Sequence, residues 1–380
     1  MNGSDETILV TVRDMLAAPS GVTGMIEETD VETGESRLRR VSLDVRGGVG
    51  GSGLVEAGKA MDGSGPLAAL AGLLLRFPES PLDLIWGALA EVAPTGLRQV
   101  VSDGTLLFAL KDDPDRFDGA EQRLFRLEAE AERNGAAALD LAPLGLSGGR
   151  LITGLVLSGD WLHVLVADAT AGFDVFRARA TAPRPVLEAV LERGAQRFAL
   201  NAAVSAAVPC PGAPPDTLLL GTAALAGGDE QVGSWGPELL RLWPDGDWDI
   251  IMGQPRFTPA GLKRPLCDSL PGFGNRTNAA VRAIATAEVG GRSRTYAVLQ
   301  DFLGETCTDR RFAIPDLMEY MGTVQLFRSA DLVHWEEVPA ELPEDSGTVT
   351  ALVVTEAGVI LGHEGIGRSK LPLTFVPHPA

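Results

Sequence analysis

Short apolar stretches recur along most of the chain, and Gly, Pro, Asp or Ser bounds each of them. They are rich in Val, Leu, Ile and Thr and run for about four to eight residues, which is the pattern of β-strands. They lie at residues 7–12, 105–110, 150–158, 161–168, 217–225, 294–302, 322–329 and 348–355. Tight hairpins are predicted between some of them, as at 157–162 and 355–359. The pattern therefore predicts an all-β protein.

Two segments show helical rather than alternating periodicity. Residues 64–95 contain PLAALAGLLLRF and PLDLIWGALAEV, each with a proline at its start and apolar residues at helical spacing. We expect a short helical insertion there, acting either as a lid or as a cover over one end of the sheets. Residues 183–196, PRPVLEAVLERGAQ, are a second helical candidate that ends at Gly194.

A repeated unit organises the strands. Segments 237–253 and 322–339 both have a strand ending in Leu-Arg or Phe-Arg, a turn with an Asp, and then a Trp. Weaker copies at 121–144 and 172–180 place an Arg on the presumed third strand. We expect the turn Asp to cap backbone N–H groups and the Trp to pack between sheets.

The repeat predicts a propeller of four-stranded sheets. The spacing from Trp248 to Trp335 corresponds to about two blades at the usual 40–50 residues each. The chain has 380 residues, which is enough for six or seven blades beside the insertion. We therefore predict one domain over 1–380, a six- or seven-bladed β-propeller with a short helical insertion at 64–95. Strands 7–12 and 348–362 are expected to meet and close the ring.

The turn sequences carry a family resemblance. SADLVHW (329–335) and PDGDWD (244–249) resemble degenerate Asp-boxes, the hairpins of sialidase-type propellers, with Ser329, Asp331 and Trp335 at the matching positions. In those families this hairpin is structural. The longer stretch 235–302 resembles bacterial propeller proteins, and some propellers near that group act in natural-product biosynthesis. The resemblance implies the fold and an enzyme of the cyclase or alkylating type.

The charge and the cysteine content limit the classes of partner and the cellular compartment that we expect for this protein. Asp and Glu number 51 against 32 Lys and Arg, a net charge of −19, which argues against nucleic acid and against an anionic membrane. No apolar run is long enough for a membrane span, and the N-terminus does not have the pattern of a secretory signal. Three cysteines without CxxC spacing favour a reducing cytoplasm. No metal motif is present and no cofactor can be named from the sequence.

A propeller binds small molecules where its innermost strands meet at the central channel. Gly272 and Gly274 permit a tight loop, which leads into a strand that contains Asn278 and Arg282. In a regular strand these two side chains point to one side, where they are expected to hold an anionic or carbonyl oxygen of the substrate. The alternative is that they satisfy loop carbonyls and an acid between blades.

The segment 300–322 is long, polar and charged, as functional loops often are. We predict that Asp301 and Tyr320 act in acid–base catalysis and that Glu305 and Glu319 bind the substrate. A solvated loop with exchangeable ion pairs is the alternative. His363 is the third catalytic candidate, a base oriented by the neighbouring carboxylate of Glu364.

The other histidines are expected to have no catalytic role. His163 alternates with apolar residues in a strand and is expected to be packed or at an edge. His334 lies in the Trp335 hairpin and is expected to be exposed, and His378 lies in the tail. Since the four histidines are scattered, a metal site would need residues from several blades.

The leading hypothesis is a cytoplasmic enzyme of specialised small-molecule metabolism. It would bind an organic substrate at the channel and catalyse bond formation or cyclisation with acid–base residues. A non-catalytic binding propeller is the second hypothesis and predicts no convergent titratable cluster. A glycan-active or glycan-binding propeller is the third and predicts paired carboxylates with aromatic platforms. Fold alone does not choose among them.

Overall fold

The computed structural model of the chain describes most of its residues. These are 8–18, 21–31, 36–44, 54–55, 61–62, 97–103, 105–111, 122–128, 137–147, 149–223, 236–275, 278–301, 324–343, 346–366 and 371–378. The predicted helical insertion at 64–95 lies outside the described residues. No helix in the described ranges is long and apolar enough to cross a membrane.

The first three sheets are antiparallel meanders. Sheet I consists of β1 Ile8–Ala18, β2 Gly21–Asp30, β3 Ser36–Asp44, β4 Leu54–Val55 and β5 Met61–Asp62, the last two both pairing with β3. Sheet II consists of β6 Leu97–Ser102, β7 Leu106–Lys111, β8 Arg123–Glu128 and β9 Ala137–Ala138. Sheet III consists of β10 Leu151–Ser158, β11 Trp161–Ala167, β12 Asp174–Arg179 and β13 Glu188–Leu191.

The remaining strands form three more meanders and one hairpin. Sheet IV consists of β14 Ala203–Pro209, β15 Leu218–Ala223, β16 Leu239–Leu242 and β17 Trp248–Met252, followed by the hairpin of β18 Arg256–Thr258 and β19 Gly261–Lys263. Sheet V consists of β20 Asn278–Val289, β21 Arg292–Asp301, β22 Val324–Ser329 and β23 Trp335–Val338. Sheet VI consists of β24 Val349–Val354, β25 Gly358–Ile366 and β26 Leu373–Pro377. All eight strands predicted from the pattern are present.

The six sheets are arranged as blades of a β-propeller. The first strands of consecutive sheets lie beside one another, in the order β6, β10, β14, β20, β24, and β24 lies beside β1. Leu9–Thr11 of β1 also pair with Glu364–Ile366 of β25, which joins the last sheet to the first. The predicted propeller fold and the meeting of the terminal strands are confirmed. The choice between six and seven blades stays a prediction.

Every first strand carries a β-bulge against the second strand of its sheet. The register skips one residue against the second strand of the same sheet, and a bulge of this kind bends and twists the strand. Ser205 is the skipped residue of β14, which lies between β10 and β20, and its side chain is exposed. The skipped residues are Arg13, Arg98, Thr153, Ser205, Ala279 with Arg282, and Thr350.

Glutamine side chains join the blades. The Gln99 amide accepts from Leu155 N at 2.8 Å and donates to Leu155 O at 3.1 Å, so it pairs with the backbone of the next blade's first strand. Gln122 does the same with Ile152, and its side chain is buried. These amides satisfy peptide groups that no sheet neighbour reaches, a requirement for buried backbone.

The recurring Arg of the third strands is present in four sheets. Arg126 donates to Ala180 O at 3.2 Å, and Arg177 donates to Pro244 O. Both acceptors belong to the following sheet's part of the chain, so these guanidinium groups also link neighbouring blades. Arg241 and Arg328 pair with carboxylates on the fourth strand of their own sheet, Asp249 and Glu336, and Arg177 does so with Glu188 as well.

The Asp-box-like turn is a structural hairpin, as the resemblance implied. Asp331 Oδ1 accepts from the backbone N–H groups of Val333 and His334, and Oδ2 lies 2.8 Å from His334 Nδ1. These contacts hold the pKa of the Asp331 carboxyl well below its usual range. Trp335 Nε1 donates a hydrogen bond across the turn to Leu332 O at 3.0 Å. His334 is exposed, as expected.

The spacing argument from the two tryptophans is wrong. Trp248 begins β17 and Trp335 begins β23, which are the fourth strands of consecutive sheets rather than of sheets two blades apart. Sheet IV is followed by the β18–β19 hairpin and by residues 265–267, which run parallel to β17. They donate backbone hydrogen bonds to its outer edge, as from Leu266 N to Ile250 O at 2.8 Å. The extra residues cover an edge strand and lengthen the interval.

The helix predicted over 183–196 is also wrong. Glu188–Leu191 form β13, because the edge of β12 offers backbone partners that outweigh a weak helical periodicity. Arg193–Gln196 form one short turn with φ values of 56°, 58°, 55° and 65°, which is left-handed. Left-handed turns disfavour side chains with a Cβ, so the contacts around this turn hold it in place.

His163 is packed, as expected, and its environment keeps it neutral. It lies on β11 with 2% of its surface exposed. Burial and then the charge of Arg177 lower its pKa from 6.5 to about 4. A histidine with a depressed pKa opposes folding once the unfolded chain can take up a proton, so stability falls as the pH drops from 6.5 towards 4.

The first prediction concerns this acid dependence. One pKa unit corresponds to about 1.4 kcal/mol, so His163 accounts for a loss of about 3 kcal/mol between pH 6.5 and 4. His163→Gln should flatten the fall in unfolding free energy over that window, measured by urea unfolding at a series of pH values. The wild-type protein, unfolded at the same pH values, is the reference. An unchanged acid slope in His163→Gln contradicts the assignment.

The second prediction concerns the glutamine links. Gln122→Leu leaves Ile152 N–H and C=O without their side-chain partner, at a cost of about 2–4 kcal/mol for two buried peptide groups. Urea unfolding should show that loss, whereas Gln254→Leu, at a glutamine whose side chain makes no hydrogen bond within the described residues, should change stability by under about 0.5 kcal/mol. Equal effects in both variants count against the inter-blade role.

Candidate functional site

The predicted site residues divide into those that the structure describes and those that it does not. Glu305, Glu319 and Tyr320 lie outside the described residues. Asn278 is the first residue of β20, and Asp301 is the last residue of β21, directly opposite it in the antiparallel pair. His363 lies on β25 opposite Val349, the first residue of β24.

Gln300 connects these positions across two blades. Its Oε1 accepts from Val349 N at 3.0 Å, and its Nε2 lies 3.5 Å from Gly347 O. Gln300 precedes Asp301, and Val349 pairs with His363, so Asp301 and His363 lie at the same end of neighbouring sheets V and VI.

His363 is oriented by the peptide carbonyl of Glu364 rather than by the Glu364 carboxylate. It is 3% exposed, and its Nδ1 lies 2.9 Å from the backbone oxygen of Glu364. Since a carbonyl oxygen only accepts, Nδ1 carries the proton and Nε2 carries the lone pair of the neutral ring. The expected role of the Glu364 side chain as the orienting group is replaced by its main chain.

Asn278 is the best-defined polar group at this end. It is 2% exposed, and its Nδ2 donates to Gln325 Oε1 at 2.8 Å and to Gly272 O at 3.1 Å. Asn275 Nδ2 donates to the same Gln325 oxygen at 2.9 Å. The 272–275 loop therefore serves to fix Asn278. Sequence analysis identified Asn278 but missed Gln325, which looks like an ordinary strand residue.

Arg282 does not lie in a regular stretch of strand, as the prediction of its side-chain direction assumed. β20 has two bulges, and Arg282 is the extra residue of the second, between Val281 and Ala283. An even spacing places two side chains on one side only in a regular strand, so the four-residue step from Asn278 does not determine its direction. Arg282 is partly buried, and its proposed contact with substrate stays a prediction.

A second polar cluster, missed in the sequence, lies between sheets III and IV. Glu238 is fully buried and its Oε1 accepts from Arg256 Nη1 and from Gln254 N, each at 2.8 Å. Its Oε2 accepts from Asn201 Nδ2 at 2.8 Å, and Arg197 Nε lies 3.6 Å from Glu238 Oε1. Burial lowers the pKa of Arg197.

This second cluster is packed rather than open. A Cβ built on Gly253 would lie 2.4 Å from Glu238 Oε1, so no room exists beside that carboxylate. Arg256 Nε also donates to Ala195 O at 2.8 Å, which holds the left-handed turn in place. We assign this cluster to the junction between blades. In the sequence, the one sign of this cluster is Glu238 itself, a single acidic residue directly before an apolar strand.

Metal ligands do not converge in the described residues, where no group of three or more His, Cys, Asp or Glu side chains could hold an ion. Cys210 and Cys267 are both buried free thiols, and burial raises the pKa of each. Neither thiol has the depressed pKa of a reactive nucleophile.

Comparisons with known proteins give structural likenesses without a family. No protein-family model matches the chain, and no curated protein matches it. The acylaminoacyl peptidase of Pyrococcus horikoshii matches over 96% of this chain and 50% of its own, with 11% identity and a TM-score of 0.46. The sialidase of Trypanosoma rangeli matches over 96% and 54%, with 10% identity and a TM-score of 0.42.

A third solved structure is a propeller domain by its own description, that of the Trilobed protease from Pyrococcus furiosus. It matches over 98% of this chain and 84% of its own, with 8% identity and a TM-score of 0.36. The chain spans about half the length of the peptidase and sialidase chains that it matches. These likenesses concern the shape of the chain.

Proposed function

We propose that the protein is an enzyme of specialised small-molecule metabolism that acts on an organic substrate where sheets V and VI meet. Asp301 and His363 exchange protons with the substrate, and Asn278 and Arg282 bind it. Tyr320 completes the acid–base set, and Glu305 and Glu319 add substrate contacts. The reaction class is bond formation or cyclisation assisted by acid and base.

One observation supports this proposal: the backbone positions of Asn278, Asp301 and His363 lie at the same end of sheets V and VI. Asn278 faces Asp301 across β20 and β21, and the Gln300 amide bonds to the strand that faces His363. A binding propeller without catalysis has no need for an acid, a base and a fixed amide at one place. Convergence of such groups is the ordinary mark of an active site.

The chemistry follows from the state of each group. His363 holds its proton on Nδ1 against Glu364 O, so Nε2 is the atom that accepts a proton from the substrate. Asp301 follows an apolar strand and supplies the complementary carboxyl. Asn278 is held by two acceptors and keeps its position during the reaction.

Charge and cysteines support the setting of the proposal. A net charge of −19 favours a small molecule over nucleic acid or an anionic membrane as the partner. Cys210 and Cys267 are free, which fits a reducing cytoplasm.

The third prediction tests catalysis in the cell. Deletion of the gene in the source strain should remove a metabolite and raise its precursor, as measured by untargeted mass spectrometry. Re-expression of the wild-type protein should restore the product. Asp301→Asn and His363→Gln should each lower product at least a hundredfold, because general acid–base groups contribute about 10²–10⁴ in rate.

The control lies on the same strand as the binding residues. Glu288 is exposed at the far end of β20, so Glu288→Gln should restore product in full. Full restoration by Asp301→Asn and His363→Gln would reject this site. If the purified wild-type protein binds the compound that accumulates in the deletion strain but does not convert it, the non-catalytic propeller is favoured.

A further inference from the structure

Four side chains form a hydrogen-bonded row that ends at Asn278. Glu337 Oε1 accepts from Gln325 Nε2 at 3.1 Å. Gln325 Oε1 in turn accepts from Asn275 Nδ2 at 2.9 Å and from Asn278 Nδ2 at 2.8 Å. The row runs from the outermost strand of sheet V to its innermost strand, β23 to β22 to β20.

The direction of every amide in this row is fixed by groups that can only accept. An ionised carboxylate has no proton to give, so Gln325 must present its NH₂ to Glu337 and its oxygen to the two asparagines. Asn278 must then present its NH₂ to Gln325. The carbonyl of Gly272, 3.1 Å from Asn278 Nδ2, is a second acceptor that requires the same orientation.

With the amide held in this orientation, the side-chain oxygen of Asn278 receives no hydrogen bond from the described residues. Asn278 Oδ1 is buried and has no hydrogen-bond partner within the described structure, and the whole residue is 2% exposed. A rotation of the amide would give Oδ1 a new neighbour only by bringing it against two acceptors. A buried acceptor left without a donor costs about 1–3 kcal/mol, which a donor supplied by a ligand would recover.

We infer that the substrate donates a hydrogen bond, from a hydroxyl or an N–H group, to Asn278 Oδ1. This inference rests on the proposed function and adds the class of substrate to it. Gln325 is a positioning residue that acts through Asn278, and Glu337 fixes the polarity of the row from the protein surface. A substrate that offers only acceptors, such as an ether or an ester, leaves Oδ1 unpaired.

We expect the protein to discriminate strongly between hydroxyl-bearing ligands and analogues without the hydroxyl, because the acceptor is a buried group. A site built to pair with a hydroxyl rejects the analogue that lacks it far more strongly than an apolar site rejects an extra methylene. Replacement of O–H by O–CH₃ should therefore weaken binding about tenfold or more.

The fourth prediction uses matched probes on the full chain. Alcohols and their methyl ethers, beginning with benzyl alcohol and benzyl methyl ether, are titrated against the purified protein by NMR. The wild type should bind the alcohols at least tenfold more tightly than the ethers. Asn278→Leu should reduce that ratio to below about threefold, since the acceptor is gone.

Glu288→Gln is the control. Glu288 is exposed at the far end of β20 and lies outside the hydrogen-bonded row, so the alcohol preference should persist. Crystals of the wild type soaked with the best alcohol provide a second measurement that needs no variant. They should place the probe oxygen within about 3.2 Å of Asn278 Oδ1.

Several outcomes overturn the inference. Equal affinity for alcohols and ethers, a preference that persists in Asn278→Leu, a set in which no alcohol binds, or a protein donor seen on Oδ1 would each do so. None of these readouts depends on turnover. If the alcohol preference is observed while Asp301→Asn and His363→Gln still restore the metabolite, the proposed catalysis fails and the binding inference stands.

Discussion

The packing of first strands side by side around an axis is the constraint on which the structure depends. Small residues make this approach possible: β14 reads AVSAAVP and β20 begins NAAV. At Gly221 a Cβ would lie 2.5 Å from Val281 Cβ, so sheets IV and V meet closer than any side chain there would allow. Each blade alone exposes an apolar face, and only its neighbours bury it.

Polar groups at the blade junctions follow from the same constraint. Strands that meet edge to edge at an angle cannot complete a regular ladder, so some peptide groups depend on side chains. Gln99, Gln122 and Gln300 supply amides that both donate and accept. In the buried Glu238 cluster, charged side chains bind backbone groups at a junction in the same way. Arg256, which pairs with Glu238, also donates to the left-handed turn at 193–196.

The proposed site uses one of these junctions for another purpose. Gln300 joins sheet V to sheet VI and also brings Asp301 and His363 to the same end. Beside it, the row from Glu337 to Asn278 orients an amide that the packing of the blades does not require. A junction whose hydrogen bonds are complete stabilises the ring, whereas one that leaves a buried acceptor open is suited to a ligand.

The sequence alone determined the strands, the fold class and the meeting of the chain ends, because alternation of apolar residues and turn chemistry are local signals. It misjudged the blade spacing between Trp248 and Trp335 and the strand β13, and it missed Gln325 and Glu238. Only the tertiary structure decided which polar groups meet, since a hydrogen bond between residues some fifty positions apart, such as Asn278 to Gln325, depends on how the blades pack and leaves no periodic trace along the chain.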